Sequence, residues 1–133
     1  MPAADAKPFA FPKSSRLKSS LLIKEVVQQG RSVFCYPIKC FYMESAECAD
    51  SPKIAFLVSK RRLRHATARN RVKRLMRESY RLHRCELSLP ESKSLAFCWM
   101  FVGTEIPDFP QVESAASRIF QDLHVKLAKD GNV

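Results

Sequence analysis

Residues 53–84 read KIAFLVSKRRLRHATARNRVKRLMRESYRLHR: an apolar run, a basic connection and a basic amphipathic stretch, in that order. Residues 53–59 are apolar at both parities, which predicts a strand covered on both faces and therefore central in its sheet. Further on the period becomes helical. At roughly 100° per residue Val72, Leu75, Met76, Ser79 and Leu82 share one side, and Asn70, Lys73, Arg74, Arg77 and Arg81 the other. Arg69 and Arg71 flank the apolar stripe at the helix start. Residues 60–84 hold 11 of the chain's 23 Lys/Arg and one of its 13 Asp/Glu, so this window carries the whole net charge of +10. An ordinary surface mixes its signs. Repulsion concentrated in one segment is relieved by a polyanion, and nucleic acid is the expected partner.

Outward from this segment, the remaining elements complete a small domain. Residues 1–14, with three prolines, are expected to be a flexible arm, and residues 15–130 a single α/β domain. Ser19 or Ser20 can cap a helix over LLIKEVVQQ, whose Leu22, Ile23, Val26 and Val27 form a stripe, and Gly30 suits a left-handed stop. Residues 32–43 alternate as one strand, Phe34, Tyr36, Ile38, Cys40 and Tyr42 on one face and Val33, Cys35, Lys39, Phe41 and Met43 on the other. Pro37 would mark an edge or a bulge. A third strand is read over 94–102, with Phe97, Trp99 and Phe101 as core. A final amphipathic helix is read from about 112 to 129, with Ala115, Ala116, Ile119, Phe120, Leu123 and Leu127 inward and Gly131 after it. The expected fold is α+β: a small α/β sandwich on a mixed sheet, with the basic helix in a crossover between two strands.

Several function classes fit poorly. Five cysteines (35, 40, 48, 85 and 98) without a C-x-x-C pair read as reduced thiols, not a disulfide framework or zinc site. Cys35 and Cys40, five apart on one strand, would face opposite sides. His65, His83 and His124 show no spacing that pairs them as acid and base. Asp5, Glu44, Glu47 and Asp50 are scattered, so no catalytic or metal-binding residues are expected. No apolar run approaches the roughly 20 residues needed to cross a bilayer, and no signal peptide is visible. A cytoplasmic location without membrane contact is expected. A helix reading duplex DNA would show base-reading polar groups, whereas this exposed face is nearly all cationic.

The stretch KIAFLVSKRRLRHATARNRVKRLMRE resembles the signature of the bacterial ribonuclease P protein subunit. Val58-Ser59-Lys60 at the strand end and Arg69-Asn70-Arg71, followed by Lys73-Arg74 and Arg77-Glu78, carry the likeness, with Arg16-Leu17-Lys18 and Gly30-x-Ser32 upstream. The resemblance implies a fold shared with some ribosomal proteins and translation factors, with a left-handed central crossover. It also implies an accessory role in a ribonucleoprotein endonuclease that removes the 5′ leader of precursor tRNA, whose RNA subunit is catalytic and holds Mg²⁺. The implied partners are that RNA subunit and precursor tRNA, with no obligate protein partner. The implied RNA-binding residues are Arg16, Lys18, Lys60, Arg61, Arg69, Asn70, Arg71, Lys73, Arg74 and Arg77. Ile23, Val27, Lys39 and Phe41 would line a leader cleft, although Phe41 fits plain core packing equally well. Family members commonly place aromatics where this chain has Ile23 and Val27, and LRHATA lacks their usual glycine. Apolar contact must therefore do more here than stacking. A ribosomal or RNA-assembly protein on the same fold is the alternative.

Overall fold

The structure is a computed structural model and describes residues 16–48, 52–83 and 94–131. The arm expected over 1–14 and residues Arg84 and Cys85 lie outside it. Four strands, β1 (Arg31–Cys35), β2 (Ile38–Glu44), β3 (Lys53–Leu57) and β4 (Leu95–Phe101), form one sheet in the order β1-β2-β4-β3. Among the described residues three α-helices accompany them: α1 (Ser20–Gln29), α2 (Ala66–His83) and α3 (Phe109–Gly131), with a short 3-10 turn at Ala46–Cys48. β1, β2 and β4 pair antiparallel, and β3 pairs parallel with β4. The parallel pair follows from the 18-residue helix α2 between its strands, since parallel neighbours need a long crossover.

The stretch read as one strand over 32–43 is two strands joined at a cis Tyr36-Pro37 peptide. The turn changes which residues share a face. Val33 pairs with Cys40 and Cys35 with Ile38, and cross-strand partners point the same way. Val33 and Cys35 therefore join Ile38, Cys40 and Tyr42 on one face, and Cys35 and Cys40 are on the same side rather than opposite ones. Phe34 goes to the other face, with its partner Lys39.

Nor is β3 central. It forms an edge, and β4 has neighbours on both sides. β3 is apolar at both parities because each sheet face has its own core. On one side α2 and α3 pack over Val33, Cys40, Tyr42, Ile54, Phe97, Trp99 and Phe101. Trp99 makes edge-on contacts with Phe56 and Tyr80, and Phe120 lies 5.6 Å from it between ring centres. Such aromatic pairs each add about 0.5–1.5 kcal/mol beyond their buried area. On the same wheel Tyr80 lies about 40° from Met76, beside the apolar stripe, although the stripe read from the sequence did not include it.

On the opposite face α1 lies over Ala55, Ala96 and Cys98, with Leu17, Leu22, Val26 and Cys48 completing a smaller core. These small sheet residues let α1 approach closely: Cys98 Sγ is 3.9 Å from the Ile23 carbonyl oxygen. Burial pushes the Cys98 thiol up to about 12 and raises that of Cys40 still further. Ser19 caps α1, its hydroxyl accepting from the Leu22 N–H at 3.2 Å. Gly30 is extended (φ −73°, ψ 165°), not left-handed. A methyl group there would run into the Val26 carbonyl oxygen and stand 2.8 Å from that of Tyr42, so glycine is required by close approach. α3 starts at Phe109, a turn earlier than its apolar stripe, because the Asp108 carboxylate accepts from the Gln111 N–H at 2.9 Å.

Candidate nucleic-acid interface

α2 lays Val72, Met76, Ser79 and Tyr80 against the sheet, as its period requires. Asn70, Arg71 and Arg74 stand exposed on its far side, while Lys73 and Arg77 are half-buried along the flank facing β3. Glu78, the one acid of residues 60–84, is held by Arg81 one turn on. Among the described residues no carboxylate pairs with Arg71, Lys73, Arg74 or Arg77. His83 is half-buried, its Nε2 3.0 Å from the Glu113 carboxylate of α3.

The basic connection is ordered by its own arginines. Arg69 Nη1 donates to the carbonyls of Leu63 (2.9 Å) and Arg64 (2.8 Å), and Arg62 Nη1 donates to the Val102 carbonyl at 2.8 Å. Loop carbonyls without a ladder partner need such donors. Arg69 is thereby a loop clamp as well as a surface cation. Lys60 and Arg61 are exposed where the chain leaves β3.

The open side of β3 is where distant segments meet. The Leu17 N–H donates to the Ile54 carbonyl at 2.9 Å, so the chain before α1 adds a short parallel bridge to this edge. Alternation then buries Leu17 and turns Arg16 and Lys18 outward. Between this segment and α2 runs a groove of about 390 Å³, walled by Arg16 and Lys18 on one side and Lys73 and Arg77 on the other. Its floor is Ile54, Ala55, Phe56 and Leu57, with Ile23 at the α1 end. Arg77 Nε is buried without a hydrogen-bond partner. Among the described residues the groove lining holds no carboxylate, histidine or thiol, so these residues can bind an anion with an apolar body.

Ile23, Val27 and Phe41 come together, half-buried around the smaller core with Met43 and Leu57. Lys39 Nζ lies 5.1 Å from the Phe41 ring centre. Phe41 is half-buried, its ring packed at the rim of the smaller core. Arg16, Lys18, Lys73 and Arg77 share the groove, while Lys60 and Arg61 are exposed in the connection after β3 that Arg69 closes from α2. Ala55 and Leu57 were missed as groove residues because an edge strand with two cores reads like a central one. The signal that could have found them is the polar–apolar–polar triplet Arg16-Leu17-Lys18, which has the alternation of an added strand.

A sequence model of the family Ribonuclease P matches residues 11–124. The chain belongs to the ribonuclease P protein family. The ribonuclease P protein component of Porphyromonas gingivalis (strain ATCC 33277) is 38% identical over 114 residues, covering 83% of each chain. That of Chlorobium phaeobacteroides is 28% identical over 127 residues, covering 85% of this chain and 87% of the relative. The fold agrees. The Staphylococcus aureus RNase P protein superposes with a TM-score of 0.68 at 18% identity, covering 86% of this chain and 98% of that one. The Thermotoga maritima RNase P protein gives 0.63 at 19% identity, covering 80% and 96%. The four-stranded mixed sheet with three helices is thus the architecture of ribonuclease P proteins. Among the described residues, no helix is long and apolar enough to cross a membrane.

Proposed function

We propose that this chain is the protein subunit of ribonuclease P: it binds the catalytic RNA and the 5′ leader of precursor tRNA and assists endonucleolytic removal of that leader. The observation that carries this reading is the groove beside β3, where cations from two separate segments face each other across an apolar floor. That arrangement suits an unpaired nucleic-acid strand, with phosphates toward the walls and bases toward the floor. An anionic oxygen would also satisfy the buried Arg77 Nε, whose isolation costs about 1–3 kcal/mol. The exposed Asn70, Arg71 and Arg74 face away from the sheet and suit a second, folded RNA: the catalytic subunit. Arginine can grip each phosphate with two parallel bonds.

The protein's contribution is electrostatic and positional. Its cations lower the repulsion between two polyanions, and the groove aligns the leader with the RNA that cuts it. Mg²⁺ would supply the hydrolytic chemistry. Its fit to this protein is poor: the groove walls repel a divalent cation, and the described residues contain no group of three or more His, Cys, Asp or Glu placed to hold a metal. The ion belongs with the RNA subunit, and no protein side chain is assigned to it.

Reconstitution tests the reading. Protein mixed with its cognate RNA subunit should raise the rate of leader removal at low Mg²⁺ far above RNA alone. No stimulation refutes it. Cleavage by protein without RNA would make the chain itself the nuclease, and recovery from cells with ribosomal RNA alone would favour the assembly-protein alternative.

A further inference from the structure

Phe34 is a large aromatic residue with 56% of its surface in water. The strand register shows what it stands beside. Phe34 pairs with Lys39, Lys39 with Met100, and Met100 with Leu57, so these four side chains form one row across all four strands on the α1 face. The next row, Ser32, Phe41, Cys98 and Ala55, is partly roofed by α1, whose Ile23 carbonyl touches Cys98. Phe34 and Met100 lie outside the core that α1 makes with the sheet. Phe34 is exposed and Lys39, Met100 and Leu57 are half-buried, so among the described residues the row is a partly open lane, about 14 Å long at the usual strand spacing. At its far end Leu57 is also part of the groove floor between the Arg16/Lys18 and Lys73/Arg77 walls.

We propose that Phe34 is a stacking platform for one base of the single-stranded leader, at the end of a path that begins in the cationic groove and crosses the sheet along this lane. The proposal rests on the function proposed above and extends it. RNA is the favoured occupant for two reasons. The lane is continuous with the cationic groove, and Lys39 places a further positive charge midway, which suits a phosphodiester chain and opposes a purely apolar partner. Phe34 supplies a free aromatic face that the aliphatic Ile23 and Val27 cannot.

The test uses holoenzyme reconstituted with the cognate RNA subunit and measures equilibrium binding of precursor tRNA and of mature tRNA. Phe34→Ala should weaken precursor binding by at least about fivefold, leave mature tRNA binding unchanged and leave the salt slope unchanged, because a ring contributes no phosphate contact. Phe34→Trp should restore or exceed wild-type affinity, whereas Phe34→Leu, apolar but without a π face, should not. Wild type that prefers precursor while Phe34→Ala binds it equally well overturns this proposal alone. Wild type without any preference for the leader overturns it together with the reading it rests on. Full rescue by leucine overturns stacking. A chain that sediments as a dimer, and becomes a monomer on Phe34→Ala, would assign the lane to a second copy and overturn the proposal.

Discussion

Replacing Lys73 and Arg77 with glutamine removes one wall of the groove while keeping most of each side chain's stem. The two residues are four apart, about 6 Å along the helix axis, so they can reach separate phosphates. On single strands each neutralised phosphate contributes about −0.7 to the slope of log affinity against log salt. Four groove cations correspond to about −2.8, and the variant's two to about −1.4. Between 50 and 200 mM salt the groove's share of affinity should fall about 50-fold in the wild type and about 7-fold in the variant. Fluorescence anisotropy of holoenzyme with leader-labelled precursor tRNA over a salt series measures this. The fold should hold, because Lys73 and Arg77 make no described ion pair and removing the buried Arg77 Nε relieves an unpartnered donor. A slope within about 0.3 of wild type, with an unchanged melting curve, would refute the placement of phosphates between these walls.

Further expectations concern the scaffold. Gly30→Ala should destabilise the protein by about 1–3 kcal/mol or more in denaturant titration, since both atoms that its methyl would strike are backbone oxygens. Arg71→Ala should flatten the salt slope for RNA-subunit binding by up to about 1. Arg69→Ala should in addition speed amide exchange across residues 60–65, because its guanidinium closes that loop; unchanged exchange would remove the clamp. At pH 8 a thiol at about 12 is ionised to only about one part in 10⁴, so Cys98 in folded protein should resist alkylation, read by mass spectrometry, and react once denatured.

The cationic helix could be read directly because its cause is local. Charge and the 3.6-residue period both lie within 18 residues, and the structure kept Val72, Met76 and Ser79 inward and Arg71 and Arg74 outward. The groove could not be read in the same way, because its parts come from residues 16–18, 23, 54–57 and 73–77, and only strand order brings them together. That order was hidden by the two cores, which give the edge strand β3 the apolar composition of an interior one. A continuous alternation over 32–43 likewise concealed the turn at Tyr36-Pro37, and with it the face of Phe34. Gly30 was placed correctly at the helix end for the wrong reason: crowding by Val26 and Tyr42, which lies 12 residues away, cannot be seen in a local pattern.

The short bridge between Leu17 and Ile54 has one more consequence. A nascent or partly melted chain keeps the cations of residues 60–84 whatever its conformation, and with them an attraction to any polyanion. It lacks the walled channel until the N-terminal segment docks on the sheet edge. On the function proposed above, discrimination among RNAs would be tied to completed folding, whereas bare adhesion would not.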